Sequence, residues 1–365
     1  MKIVASSLHF YTLAYEREVV WANAVESAGQ YALLRLEDES GAVGVAEGTI
    51  KSTWSGVSPR SLAAALEDVL LPRLIGVECA GPQGVLQCLA GIPENRLARA
   101  LIDNAVWQIE AQHVGMPLWK LWGGERGVDL TWAVTRRPAA QMAAEAAEVC
   151  SRYGFRTLKV KGGQGLETDL AAMREIRAAV GDAVELYVDA NSAYSREQGL
   201  AYTLAMRDAG ATVSEDPCAL EPDAQFAALQ AGAGIPVLVD RNCTSAQDAA
   251  QFLACGALAL STKPGRIGLS EARRIADLAA TRGARVALGL YAESALGTLL
   301  SLQFGAALPR SRRLVAAEQT FYLCMREQVL ADMPPVRDGR IELPAEPGLS
   351  QRVDWGRVQG AALRP

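Results

Sequence analysis

The feature that most constrains the fold of this chain is a rhythm between about residues 128 and 318. Short β-prone runs alternate there with alanine-rich helical stretches. The runs fall at 130–134, 157–161, 185–189, 212–215, 237–240, 258–263, 285–288 and 314–317. Helical stretches such as 195–209 and 270–282 sit between them, and two capping boxes, Ser195 with Gln198 and Thr244 with Gln247, predict helix starts. Eight β-α units in roughly 190 residues predict a (β/α) barrel of the TIM type. The rival, a doubly wound sheet, needs fewer strands and a G-x-G-x-x-G turn after an early strand, and the sequence has no such turn.

The first 125 residues read differently. Residues 2–12, 31–36 and 43–47 are β-prone around the acidic turn 37–41, which predicts a meander. Ser58-Pro59 is a helix-start signal, and 96–113 carries apolar residues near helical spacing at Leu97, Ala100, Leu101, Ala105 and Ile109. The breaker Gly123-Gly124 closes this region. The expected organisation is an α+β capping domain over 1–125 and an α/β barrel domain over 126–329. The tail, 330–365, is expected to fold back on the cap.

In a barrel, functional side chains sit at the C-terminal ends of the strands. Strand two ends in Lys159-Val160-Lys161, strand three in Asp189-Ala190-Asn191, strand four in Glu215-Asp216-Pro217, strand five in Asp240, and strand six in Lys263-Pro264-Gly265; Glu293-Ser294 follows strand seven. From Lys161 to Glu293 the gaps are 28, 26, 25, 23 and 30 residues, one β-α unit each. One rim therefore receives Lys, Asp, Glu, Asp and Lys. Three carboxylates on adjacent strands repel one another without a cation. An all-oxygen donor set suits a hard ion, Mg²⁺ first and Mn²⁺ next. A lysine near that cation and a second ammonium is expected to have a lowered pKa, so that it takes and returns a proton α to a metal-bound carboxylate.

Composition narrows the alternatives. There are two histidines, His9 and His113, and both precede the barrel, so acid–base work falls to lysines. A net charge of −5 with no long basic run argues against a nucleic-acid partner. Half the residues are hydrophobic, enough for a large core, yet no apolar run reaches the ~20 residues of a membrane span. Seven cysteines with no C-x-x-C pair read as reduced thiols, and the N-terminus lacks a signal-peptide pattern, so a cytoplasmic location is expected.

The same residues resemble the enolase superfamily, in its muconate-lactonizing-enzyme subgroup. The resemblance rests on K-x-K at Lys159 and Lys161, D-x-N at Asp189, E-D-P at Glu215, the strand-closing Asp240, K-P-x-x-x-G at 263–268 and P-L-x-x-L-x-G-G at 117–124. It implies metal ligands at Asp189, Glu215 and Asp240, acid/base roles for Lys161 and Lys263, and a supporting place for Lys159 near the substrate carboxylate. It also suggests a homo-oligomer. A subgroup that places a histidine on later barrel strands is disfavoured by the positions of His9 and His113. Two departures stand out. Asp240 is followed by Arg241-Asn242 where many members have D-E-S. Glu318-Gln319-Thr320 stands where dipeptide epimerases carry Asp-x-Asp.

The substrate pocket is expected to be closed by cap loops carrying Trp21, Asn23, Lys51 and Trp54. Arg136 is read as a holder of a second anionic group, and Glu293 as either a buried acid near Lys263 or a helix cap. The expected function is Mg²⁺-dependent removal of a proton α to a small carboxylate through an enediolate. An isomerase (cycloisomerase, racemase or epimerase) is the first reading, and a lyase (dehydratase or o-succinylbenzoate-synthase type) the alternative. An inactive barrel serving as a binding protein is the lesser one.

Overall fold

Three antiparallel strands open the chain: β1 (Ile3–Val20), β2 (Val25–Asp38) and β3 (Val43–Ile50), in the order β1-β2-β3. The computed structural model describes residues 1–363. β1 and β2 run further than the sequence pattern suggests. A register shift between Ala14 and Val19 breaks the period-two alternation that marks a strand. The sheet packs on the helix Arg96–Val114, whose Leu97, Leu101, Ala105 and Ile109 are buried. Contact is closest at Gly44, where a Cβ would lie 2.0 Å from the Ala105 carbonyl oxygen.

Two short strands follow, β4 (Gly127–Asp129) and β5 (Trp132–Val134). Then come β6 (Thr157–Lys161), β7 (Glu185–Asp189), β8 (Ala211–Glu215), β9 (Val237–Val239), β10 (Ala259–Thr262) and β11 (Arg285–Leu288), separated by helices. Among the described residues, β5 to β11 form one parallel sheet of seven strands in chain order. The expected eighth strand, 314–317, is not a regular strand. It closes the barrel through isolated bridges instead, Arg313 to Val286 on one side and Ala317 to Leu130 on the other. Glu318 N donates to Leu288 O at 2.9 Å and Thr131 N to Ala317 O at 2.7 Å. The expected first strand, 130–134, is likewise shortened. β4, just before it, pairs antiparallel with β12 (Arg340–Glu342) and leaves the ladder.

The helix-start predictions shift. Ser195 and Gln198 exchange reciprocal bonds of 3.1 and 3.3 Å, but these close a turn ahead of the helix Gly199–Asp208. The second cap is Ser245, not Thr244. Ser245 Oγ accepts from Asp248 N at 3.1 Å, and Asp248 accepts from Thr244 N and Oγ1. The tail touches both halves. β12 joins β4, while Thr12 N donates to Ala361 O at 3.1 Å and Leu363 N to Phe10 O at 2.7 Å, along the edge of β1.

Cap and barrel are welded where the Arg96–Val114 helix meets the segment after Lys263. Asn104 Nδ2 donates to Pro264 O at 3.0 Å, and Asn104 Oδ1 accepts from Leu269 N at 2.9 Å. Asp103 accepts from Ser270 N at 2.8 Å and Ser270 Oγ at 2.6 Å. Gly268, the glycine of the K-P-x-x-x-G run, has φ +89°, and a Cβ there would lie 2.6 Å from Asp103 Oδ2. Left-handed backbone and close approach both require glycine at this position. Among the described residues no helix is long and apolar enough to cross a membrane.

Burial pushes the Asp103 carboxyl up to about 6, against the pull of its Ser270 hydrogen bonds. The folded state thus holds this proton more tightly than the unfolded chain, and its contribution to stability falls as pH rises from about 4 through about 6. Asp103→Asn stays neutral throughout. Measured by urea unfolding, the stability of the variant relative to the parent should improve by about 2–3 kcal/mol between pH 4 and pH 7.

Candidate active site

The strand ends deliver their charged groups to one rim. Lys159 and Lys161 leave β6 two residues apart, so alternation points both inward at different depths. Asp189 ends β7, Glu215 ends β8, Asp240 follows β9 and Lys263 follows β10. Backbone strain gathers in the loops beyond these ends. Asn191, Ser192, Asp216 and Ala292 all have positive φ. At Asp216 the bend serves a purpose: its carboxylate accepts from the backbone N–H of Asp240 at 3.1 Å and of Arg241 at 2.9 Å, which fixes the start of the next loop. Burial, with Asp240 and Asp189 nearby, pushes Asp216 up to about 7.

Lys159 is the hub. Its ammonium is 1% exposed and lies 3.1 Å from Asp189 Oδ2, 2.7 Å from Glu215 Oε2 and 2.9 Å from Glu318 Oε2. Burial alone would discharge it, but the three carboxylates hold its pKa well above the ordinary lysine value. Lys161 Nζ lies 2.5 Å from Asp189 Oδ2, and Lys263 Nζ 2.5 Å from Asp240 Oδ2. Burial pushes Asp189 and Asp240 up, but the lysines outweigh it. Asp240 is held down to about 2, and Asp189 lies well below the carboxylate range. Glu215 goes the other way, raised by burial and by Asp189 beyond what its share of Lys159 offsets. Lys263 is raised, because Asp240 overcomes the effect of burial. The lowered lysine pKa expected from the sequence needs a cation's charge beside the ammonium; a carboxylate alone acts in the opposite sense.

Four carboxylates thus meet three ammoniums, an excess of negative charge in a buried place. Asp240 Oδ1 is buried with no hydrogen-bond partner among the described residues. Glu215 Oε2 has no well-angled donor either, although Lys159 Nζ is close enough for charge attraction. Surplus charge, unpartnered oxygens and an all-oxygen set fit a divalent hard cation. Among the described residues no three acidic, His or Cys side chains stand already gathered as a metal-binding group.

Above this floor lies a small cavity of about 30 Å³, lined by Lys159, Lys161, Asp240 and Lys263 from the barrel and by Trp21, Lys51 and Trp54 from the cap. Lys51 Nζ bonds Glu26 Oε2 at 2.6 Å and sits 3.9 Å from the centre of the Trp21 ring, while Trp21 Nε1 donates to the same Glu26 oxygen at 2.8 Å. Trp54 lies over Lys263, 5.4 Å from ring centre to Nζ. Glu293 is buried behind Lys263, and burial pushes it up to about 7. It does not cap the following helix; Ser294 does, with its Oγ accepting from Leu296 N.

Arg136 does not reach the cavity. Its guanidinium donates to Gly162 O at 2.7 Å and Ala190 O at 3.5 Å, so it ties the β6 and β7 loops together rather than facing a second anionic group. Both histidines lie in the cap; His113 Nε2 is 2.7 Å from Asp38 Oδ2.

Two buried carboxylates were given no place in the site by the sequence reading. Glu318, noted there only as a departure, is one: its oxygens accept from Lys159 Nζ, from Tyr187 Oη at 2.7 Å and from Leu290 N at 3.1 Å. Its place at the end of the expected eighth strand was the available signal. Glu47 is the other. It accepts from Tyr11 Oη at 2.6 Å, from Ser294 N at 2.9 Å and from Ser294 Oγ, and so pins the loop that carries Leu290–Ala292 over the cavity. Only packing across the two domains shows its role.

The family profile described as "Mandelate racemase / muconate lactonizing enzyme, N-terminal domain" matches residues 12–123, and "Enolase C-terminal domain-like" matches 141–357. The chain belongs to the mandelate racemase/muconate lactonizing enzyme family of the enolase superfamily. Relatives span several activities within it. Muconate cycloisomerase 1-2 of Acinetobacter lwoffii is 27% identical over 89% of this chain and 86% of its own length. The o-succinylbenzoate synthase of Geobacillus kaustophilus is 29% identical over 86% and 80%. The solved L-Ala-D/L-Glu epimerase of Bacillus subtilis, in a substrate-liganded complex, superposes with a TM-score of 0.88 at 26% identity, over 96% of this chain and 98% of that one. The isomerase reading and the lyase reading are both represented among them.

Lys159 offers a test of the hub. Lys159→Met leaves Asp189, Glu215 and Glu318 buried with less compensating charge. The variant should lose about 3–5 kcal/mol at pH 8 by denaturant unfolding. The loss should shrink toward pH 5, since carboxylates whose folded-state pKa is raised stabilise the fold below it.

Proposed function

We propose that this protein removes a proton α to the carboxylate of a small organic acid and returns it, or the charge it leaves, in an isomerisation. The observation that carries this reading is that Lys161 and Lys263 line one cavity, each beside a different strand-end carboxylate. Asp189, Glu215 and Asp240 are the residues that would hold Mg²⁺, or Mn²⁺ in its place. When bound, that ion supplies positive charge to the substrate carboxylate and so stabilises the anion formed by proton loss. Lys159 neutralises the floor of the site and holds the carboxylates in register.

The chemistry then belongs to the two lysines. One, once neutral, accepts the α-proton at Nζ, and an ammonium returns it. Return from the opposite lysine inverts the centre and gives a racemase or epimerase. Expulsion of a ring carboxylate from the β-carbon opens the ring and leaves an alkene; in reverse, that carboxylate adds to the alkene and the lysine ammonium protonates the α-carbon, which gives a cycloisomerase. Loss of a β-substituent gives a lyase, the second reading, supported by the similarity to an o-succinylbenzoate synthase. Trp21 and Trp54 wall the cavity on its cap side, where they would keep water from the anion. Both Glu318 oxygens are occupied by Lys159, Tyr187 and Leu290, which leaves little to grip a substrate amine. We further propose a cytoplasmic enzyme, in keeping with seven free cysteines among the described residues, and a homo-oligomer, as the family resemblance suggests.

The test is exchange of the α-proton with solvent deuterium, followed by NMR across acyl amino acids, muconates and acid sugars with Mg²⁺ present. Wild type should exchange at least one class. Lys161→Ala and Lys263→Ala should each lower turnover at least 10²-fold, and on a chiral substrate each should abolish exchange of one enantiomer first. Unchanged turnover in both variants would reject the assignment. Failure to bind Mg²⁺ in a calorimetric titration would favour a non-catalytic binding protein.

A further inference from the structure

Two of the seven free cysteines form a pair that the proposed reaction does not use. Cys79 and Cys88 face each other with 3.5 Å between their sulfurs, and among the described residues no other two thiols come within hydrogen-bond reach. The fold builds this pair. Cys79 stands just before the cap helix Gly81–Cys88, and Cys88 is that helix's last residue. The backbone holds Cys79 beside the start of β1: its N–H donates to Met1 O at 2.9 Å, and the neighbouring Glu78 bridges Lys2. The helix then packs back over Cys79, so closely that a Cβ on Gly84 would lie 3.1 Å from the Cys79 carbonyl carbon. Arg99 on the long cap helix fixes the exit, donating to Leu89 O at 2.6 Å and Ile92 O at 3.0 Å.

The two thiols are not equivalent. Cys79 is buried, whereas Cys88 is partly exposed. Burial, and then the hydrogen bond with Cys88, push the Cys79 thiol up to about 11. Oxidants attack an accessible thiolate, so Cys88 reacts first and Cys79 follows. We propose that Cys79 and Cys88 are a modification site, a dithiol that a peroxide closes to a disulfide and a small thiol reopens. In the first step the Cys88 thiolate attacks one peroxide oxygen. The O–O bond breaks, hydroxide leaves and takes up the Cys88 proton as water, and Cys88 becomes a sulfenic acid. In the second step Cys79 Sγ, losing its proton, attacks Cys88 Sγ. The S–S bond forms, the S–O bond breaks, and the departing hydroxide takes the Cys79 proton as a second water. Two thiols thus give up two electrons and two protons to one peroxide. Two molecules of a thiol such as glutathione reverse the change and leave as their own disulfide. In the reducing compartment proposed above, the bond forms only while oxidant is high. It closes residues 79–88 into a ring and staples the helix Gly81–Cys88 to the start of β1.

The test treats the full-length native protein with hydrogen peroxide, then unfolds it, alkylates it with N-ethylmaleimide and cuts it with trypsin. No Lys or Arg separates the two cysteines, so both fall on the tryptic peptide 74–96. After oxidation that peptide should be two hydrogens lighter than its reduced form and carry no maleimide. Dithiothreitol before alkylation should restore two maleimides. The oxidised protein should melt about 2–4 °C higher than the reduced one, because a ring of this size restricts the unfolded chain. In Cys88→Ser, Cys79 should keep its thiol at a peroxide dose that closes the wild-type pair in full. Both thiols surviving a dose that oxidises the likewise partly exposed Cys150 and Cys255 overturns the proposal. So does a Cys88 that goes on to sulfinic acid while Cys79 stays a thiol, or a Cys79 that is oxidised as fast in Cys88→Ser as in wild type. A melting point lowered by oxidation also overturns it, since the fold then does not accommodate the bond.

Discussion

The structure depends on a single ammonium, that of Lys159, set among three carboxylates, two from the ends of barrel strands and one from the irregular segment that closes the barrel. Asp189 and Glu215 sit on neighbouring strands, and Glu318 reaches in from the far side of the closure. Lys159 is therefore a counter-ion to the wall and a tie across the barrel. A buried ion pair is a weak source of net stability, but a broken one is costly. The arrangement thus fixes geometry more than it adds free energy. Lys161 shares Asp189 with this hub, Lys263 stands apart on Asp240, and the cavity lies in front of both.

The cap is bound into this arrangement at the same level. Glu47 on β3 grips Ser294, and Asn104 on the long cap helix grips Pro264 and Leu269 on either side of a short helical turn. These contacts place two loops, those after β10 and β11, and both loops line the cavity. Tyr31 Oη adds a bond to Ala292 O at 2.9 Å. The lid residues Trp21 and Trp54 are carried on loops of the same domain that braces the floor. Position in the cap and position at the lysines are therefore coupled through buried hydrogen bonds rather than through surface contacts.

Much of this was legible in the sequence, for identifiable reasons. Strand ends in a barrel recur at a fixed interval, so the spacing of Lys161, Asp189, Glu215, Asp240 and Lys263 was readable from numbering alone. Residues whose meaning comes from another domain were not. Glu47 looks like an ordinary strand acid until Ser294 is placed against it. Arg136 looks like a free cation until the carbonyls of Gly162 and Ala190 claim it. The eighth strand misled for a related reason: 314–317 has β-prone residues, but it meets its neighbours only through isolated bridges at Arg313 and Ala317, so no continuous ladder forms there. Propensity describes a segment, whereas pairing depends on what else competes for the partner.

The two ends of the chain meet along one strand. Phe10 and Thr12 on β1 exchange backbone hydrogen bonds with Ala361 and Leu363, and β4 waits for β12 more than two hundred residues later. During synthesis at about 5–20 residues per second, the edge of β1 and the partner site on β4 stay unpaired until residues 340–363 have been made. The cap sheet is thus begun before the barrel strands and covered after them. In the newly made protein, that bare edge is open to aggregation and proteolysis for as long as the barrel takes to be made.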